Sequence, residues 1–255
     1  MSQARPDFPY IHLPVTDSTS RYLSTLCAQR GDDVAELTTV CADYQTSGKG
    51  QRGNSWEAEP EKNLLFSFLV RPTFVDAKDQ FVISQIVSLA CKDELASHAP
   101  DLTIKWPNDL YYRDQKIGGI LIEHELMGSH ISRTICGIGL NINQTEFISD
   151  APNPVSLTQI TGTMHDRDAL LVGIVHRFAA DYEQLRTDHT GTVRQGIATR
   201  YARSLYRRRG FHPYRDARGQ FNARLLRVED DGRLILEDDN GRLRSYLFKE
   251  VQIVL

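Results

Sequence analysis

Gly48-Lys49-Gly50-Gln51-Arg52-Gly53-Asn54-Ser55-Trp56 interleaves three glycines with two cations, amides and a tryptophan. Such a stretch is suited to holding an anion. Glycine permits positive φ and close backbone approach, so several N–H groups converge on phosphate oxygens while Lys49 and Arg52 add positive charge. A second cluster, Lys105-Trp106-Pro107-Asn108-Asp109 followed by Lys116-Ile117-Gly118-Gly119, reads as its partner. The spacing Gly48-x-Gly50-x-x-Gly53 also matches the dinucleotide-binding fingerprint, but its context does not. That fingerprint closes a strand, opens a helix and has an acidic residue about 20 positions on. Here residues 54–62 are polar, contain Pro60 and lead into an apolar run at 64–70 that reads as a strand. Neither the kinase His-Arg-Asp and Asp-Phe-Gly elements nor a Walker Gly-Lys-Ser/Thr is present.

Working outward, residues 37–42 are apolar enough for a buried strand that delivers Tyr44, Gln45 and the glycine-rich stretch. Before it, Asp17-Ser18-Thr19-Ser20 precedes Tyr22, Leu23 and Leu26 at helical spacing, predicting a capped helix to about residue 29. The same small polar residues have a second reading, as hydroxyl and N–H groups offered to a polar ligand. Apolar periodicity predicts helices over 77–97 and 166–186, and a further helical stretch reaches about residue 206. Residues 102–106 read as a short strand, 114–115 as a turn that leaves Lys116 at its end, and 119–126 with 131–142 as an antiparallel pair. Residues 144–165 hold Pro152, Pro154 and Gly162 and read as a long loop with one short helical turn, the kind of segment that serves as a lid. The sum is an α+β arrangement, a sheet of about five strands with helices packed on it. After Gly210, turn signals at 218–219, 231–232 and 240–241 alternate with short strands at 225–228, 234–236 and 246–248, predicting a small β-barrel.

The 255 residues suffice for one sizeable core and a small appended domain, and the expected division is 1–209 and 210–255. Thirty Lys and Arg against 33 Asp and Glu, net charge −3, give no global attraction to nucleic acid or anionic membrane. The N-terminal ten residues lack an apolar signal-peptide core, and no apolar run is long enough to span a bilayer. Cys27, Cys41, Cys91 and Cys136 are far apart, as expected of reduced, buried thiols in a cytoplasmic protein. Arg207-Arg208-Arg209, with Arg203 and Arg215, forms a basic patch that fits a solvated helix end, with contact to ATP or an acidic partner as the other readings.

Taken together, Asp17-Ser18-Thr19, Gln45 with the glycine-rich stretch and Trp56, Lys105-Trp106-Pro107-Asn108-Asp109-Leu110, Lys116-Ile117-Gly118-Gly119-Ile120-Leu121, and Gly137-Ile138-Gly139-Leu140-Asn141 resemble the biotin protein ligases over almost the whole chain. Each motif alone is weak, and five in this order are strong. The resemblance implies a class II synthetase-like mixed sheet with packed helices, followed by an SH3-like barrel. It implies two steps on one site: activation of biotin by ATP to biotinyl-adenylate with release of pyrophosphate, then transfer to a lysine of a biotin carboxyl carrier domain. Mg2+ would bridge the phosphates, with no protein side chain assigned to it.

By the same resemblance, Ser18, Thr19, Ser20, Gln45, Lys49, Gly50, Gln51, Lys116 and Gly119 would bind biotin. Gly48, Arg52, Asn54, Trp56, Asn108 and Asn141 would bind ATP. Lys116, Arg52 and Asp109 would be catalytic, with Lys116 beside the carboxylate and α-phosphate and Asp109 orienting the incoming lysine. Two departures stand out: Lys49, Gln51 and Asn54 replace arginines of the family loop, and Ser20 replaces an asparagine. Only 16 residues precede Asp17, too few for a helix-turn-helix, so no DNA contact is expected, and a homodimer is compatible with the reading. The alternatives are a lipoate or octanoate ligase and a sensor that retains biotinyl-adenylate.

Overall fold

The computed structural model describes residues 6–50, 55–148 and 153–254. The apolar run at 64–70 becomes strand β3 (Leu64–Val70), buried at every position because both sheet faces are covered there. It pairs antiparallel with β2 (Thr39–Gln45) on one side and β7 (His130–Leu140) on the other. Outward from β7 lie β6 (Gln115–Met127), β5 (Asp109–Tyr112) and β4 (Leu102–Lys105), all antiparallel. At the opposite edge, β1 (Tyr10–Thr16) pairs parallel with β2, giving the order β1-β2-β3-β7-β6-β5-β4.

The sheet thus has seven strands where about five are expected, and both additions have physical reasons for being hard to read. Strand β1 is a half-exposed edge strand interrupted by Pro14, which the pairing skips between Leu13↔Ala42 and Val15↔Tyr44. Strand β5 is four residues long, and the turn at Arg113, φ 53°, folds it directly onto β6. Strand β2 starts two residues later than expected because Leu37, φ 62°, breaks the extended backbone.

One sheet face is covered by helices α2 (Phe81–Leu95), α4 (Arg167–Arg186) and α5 (Thr192–Ser204). Asp166 starts α4 by accepting the N–H groups of Asp168 and Ala169. Ile83, Ile86 and Val87 of α2 and Ile174, Val175 and Phe178 of α4 form one core with Phe66, Phe68, Cys136 and Ile138 of the sheet. Each such side chain contributes about 1.5–3 kcal/mol by leaving water. The opposite face carries α1 (Thr19–Arg30), whose Leu23 and Cys27 pack on Val40, Leu69 and Ile135. Helix α1 covers only one end of that face. A short helix α3 (Leu157–Thr161) follows the long loop and is closed by a Ser156/Gln159 capping box.

The chain then forms a second, five-stranded antiparallel sheet from β8 (His212–Asp216), β9 (Gly219–Val228), β10 (Leu234–Asp238), β11 (Leu243–Tyr246) and β12 (Val251–Ile253), in the order β11-β10-β9-β8-β12. The last two strands differ from the expected run at 246–248: Tyr246 ends β11, and residues 247–250 link it to β12. Trp106 fastens this sheet to the first: its indole N–H donates to the Gly232 carbonyl at 2.9 Å, and its ring meets Phe248 edge-on at 5.9 Å. All four cysteines are unpaired and buried, and burial pushes the Cys41 thiol up to about 12. No helix among the described residues is long and apolar enough to cross a membrane.

His124 lies on the core face of β6, with Nδ1 2.8 Å from Thr134 Oγ1, and burial lowers its pKa from 6.5 to about 4. Between those values the unfolded chain holds the proton and the folded one does not, so stability rises with pH across this window. The His124 contribution should be complete above pH 6.5 and lost down to about pH 4, at about 1.4 kcal/mol per pH unit. Urea midpoints of the protein and of His124→Gln at pH 5 and pH 7 check this: the pH dependence should flatten in the variant, and equal slopes would refute it.

Candidate active site

The uncovered end of the α1 face is a floor with few side chains. Along β7, Cys136, Ile138 and Leu140 point into the core, so Gly137 and Gly139 occupy the alternate positions on the opposite face. Gly119 of β6 pairs with Gly139, and Leu121 with Gly137. The Trp56 indole lies on this floor: a Cβ on Gly139 would come within 2.6 Å of its Cε2 and one on Gly119 within 3.2 Å of its Cζ3. Gly48 is needed for a related reason. Trp56 N–H donates to the Gly48 carbonyl, and a Cβ at Gly48 would sit 2.6 Å from the Trp56 carbonyl oxygen. Gly48 itself is outside the positive-φ region, so of the two freedoms that glycine offers it is close approach that decides this position. The indole N–H of Trp56 is buried with no acceptor among the described residues.

One wall is the start of α1. Ser18, Thr19 and Ser20 are all buried, yet the Ser18 hydroxyl caps no backbone N–H, contrary to the capping expectation. The Thr19 N–H is instead taken by Gln45 Oε1 at 2.8 Å, and Thr19 Oγ1 lies 2.8 Å from Ser67 Oγ. Ser18 Oγ and Ser20 Oγ are 3.0 Å apart. A cap from the neighbouring strand thus leaves the two serine hydroxyls facing each other. Ser67 was missed by the sequence reading. Its signal is a lone polar residue in the otherwise apolar run 64–70.

The other wall is electrostatic. Lys116 lies in β6, not at the end of a polar turn as the sequence suggests. Its N–H donates to the Asn153 carbonyl at 2.8 Å, and its carbonyl accepts from Val155 N–H at 3.0 Å. Asn141, buried, donates its Nδ2 to the Val155 carbonyl at 3.2 Å, so its amide helps strap residues 153–155 beside Lys116. Lys116 Nζ is 2.9 Å from Asp109 Oδ2 and 5.8 Å from the centre of the Trp56 ring, close to the position a Gly119 Cβ would take. Asn108 is buried next to Asp109.

Lys105 is a further cation here that the sequence reading did not single out as a site residue. It pairs in register with Asp109, donates to Tyr111 Oη at 2.9 Å and lies over that ring at 4.7 Å. Burial lowers its pKa; the Asp109 charge opposes this, and Lys116 and Arg207 reinforce it. Lys49 is exposed, with Nζ 3.9 Å from Glu123 Oε1, and Gly50 follows it half-buried. Gln51, Arg52 and Asn54 lie outside the described residues.

Residues 12–141 match the model of the biotin/lipoate A/B protein ligase family. The chain is 30% identical over 213 residues to the biotin–[acetyl-CoA-carboxylase] ligase of Paracoccus denitrificans, covering 80% of this chain and 85% of that one. The chain belongs to the biotin protein ligases of this family. It is therefore a ligase. It is also 28% identical to the bifunctional ligase/repressor BirA of Bacillus spizizenii, over 92% of this chain and 72% of that protein. Its fold is similar to that of the biotin protein ligase of Aquifex aeolicus, solved in complex with biotin and ATP, with a TM-score of 0.76, 23% identity, and 96% and 99% of the two chains covered. The family match ends at Asn141, so it includes the glycine floor, Gln45, Trp56, Asp109 and Lys116 and leaves out the strap at 153–155.

The chain has two tryptophans, which makes the Trp56 packing testable by fluorescence. In a Trp106→Phe background, Gly139→Ala should displace the indole and shift its emission to longer wavelength with circular dichroism unchanged. An unmoved emission maximum would mean that the ring does not rest on Gly139.

Proposed function

We propose that this ligase activates biotin with ATP and passes it to the ε-amine of a lysine on a biotin carboxyl carrier domain. What supports this most is the Lys116–Asp109 pair, 2.9 Å apart at the side of a glycine floor under Trp56. In the first step a biotin carboxylate oxygen attacks the α-phosphorus of ATP, the bond to pyrophosphate breaks, and negative charge concentrates between the reactants. A lysine fixed by its backbone to β6 and to residues 153 and 155 is a preorganised counter-charge for that transition state. In the second step the carrier amine attacks the acyl carbon and AMP leaves. Asp109, already in a lysine ion pair, is suited to receive and orient an ammonium group before it loses its proton.

The neutral polar groups at the α1 end, from Ser18, Thr19, Ser20 and Gln45, suit the uncharged ureido ring of biotin. Gly48, Trp56, Asn108 and Asn141 would then serve the nucleotide, together with Arg52 and Asn54. Mg2+ accompanying ATP would be held chiefly through phosphate oxygens, as it generally is where nucleotides are used. The reading includes a catalytic unit over 1–209, a C-terminal unit over 210–255 and work in the cytoplasm.

The test is the intact mass of a purified carrier domain after incubation with the protein, Mg-ATP and either biotin or lipoate. One biotin-sized gain that requires ATP is expected; a lipoyl gain, or none with adenylate retained, would replace this reading by lipoate ligation or by sensing. Lys116→Ala should lower biotin-dependent pyrophosphate release by about 100-fold or more, the scale at which lost transition-state charge stabilisation is felt, with the fold retained. Unchanged release would remove Lys116 from the chemistry.

A further inference from the structure

In the C-terminal sheet no backbone pairing joins β11 to β12 among the described residues. Among the described residues β11 pairs with β10 alone and β12 with β8 alone, so each presents one edge without a backbone partner there. A cavity of about 670 Å³ is lined by residues of both strands, including Leu243, Ser245 and Gln252, and so lies at the seam between them. Five cationic side chains line it, against two carboxylates, in a chain whose net charge is −3.

The lining separates into a fixed wall and exposed cations. Arg244 is held by Asp238 at 2.9 Å and by Asp216 at 3.4 Å, and Tyr246 donates to Asp216 at 2.7 Å. Glu250 spends its carboxylate on the Leu247 N–H at 2.7 Å. Arg215, Arg218 and Arg242 are exposed and form no salt bridge among the described residues, although the Arg218 charge, after the Tyr246 hydrogen bond, helps hold the Asp216 carboxyl below its ordinary range. The backbones of two of them are pinned: Arg218 N–H donates to Asp216 Oδ1 at 2.8 Å and Arg242 N–H to Asp238 Oδ1 at 3.0 Å. Arg218 and Arg242 therefore start from fixed turns at the rim of the cavity, whose lining they share with Arg215.

Unpaired strand edges are completed by an extended polypeptide, and arginine forks match carboxylates. A small anion would use the arginines and leave the edges unsatisfied. The seam is linked to the active site through the chain: Phe248, whose neighbour Lys249 lines the cavity, packs on Trp106, three residues before Asp109. We propose that the β11/β12 seam binds an extended, carboxylate-rich segment of the protein substrate by adding it as a strand, and so holds the carrier next to the site. This rests on the ligase reading above.

The test uses the full chain and the triple variant Arg215→Glu/Arg218→Glu/Arg242→Glu, with the corresponding triple Gln variant as a milder control should charge reversal unfold the sheet. Biotin-dependent ATP–pyrophosphate exchange should be unchanged, whereas KM for a biotin carboxyl carrier domain should rise about tenfold or more with kcat held. Hexaglutamate peptide should compete with the carrier on the native protein and not on the variants. A carrier KM within about twofold of native in both variants would overturn the proposal. So would equal competition by inorganic phosphate or a short single-stranded oligonucleotide, which would mark a general anion site. If the native protein catalyses neither exchange nor transfer, the ligase reading fails by itself. Anisotropy of labelled hexaglutamate, bound by the native chain and lost in the variants, then still decides whether the seam takes an acidic strand.

Discussion

Two glycines paired across β6 and β7, Gly119 and Gly139, leave the sheet without side chains at the one place where a second layer must come down on it. Everything in the site depends on that absence. It admits the Trp56 ring to van der Waals contact with the strands, and Trp56 in turn holds the end of the glycine-rich stretch by its bond to Gly48. The same strands bury Ile138 and Leu140 on their other face, so the floor is anchored by the core that stabilises the domain. A floor of this kind does not rearrange cheaply, because displacing it would disturb close-packed side chains beneath.

Charge is placed by the same logic. Lys116 is held by two backbone bonds to residues 153 and 155, and Asp109 reaches it from the next strand. Lys105, on the strand beyond, is partly desolvated and stacked on Tyr111, so a third charge is kept close without being exposed. The stretch that carries Lys105 and Asp109 also carries Trp106, the residue that ties the first sheet to the second through the Gly232 carbonyl. Site geometry and the docking of the C-terminal sheet are therefore mechanically joined through one pentapeptide.

Much of this was legible from local patterns. The seven-residue apolar strand at 64–70 and the long amphipathic helix at 166–186 fall within one residue of their observed bounds, because continuous burial and 3.6-residue periodicity leave strong traces. Strands at the sheet edges did not. The half-exposed β1 with its proline and the four-residue β5 carry no sustained pattern, and their pairing supplies what their composition lacks. The hydroxyls at Ser18 and Ser20 looked like helix caps because capping is a local rule. Gln45, 26 positions from Thr19, takes over that role only when β2 is beside α1.

The sequence by itself determined the element types, the residue chemistry and the glycines, since these follow from side-chain shape, charge and short-range backbone preference. Tertiary structure alone decided that Lys116 is a strand residue paired with Asp109, that Ser67 stands behind Thr19, that Trp56 lies on Gly139, and that β11 and β12 of the second sheet line one cationic cavity. Each of these joins residues distant in the chain or sets one strand edge against another. Such relations come from how layers pack and strands register, and no local propensity encodes them.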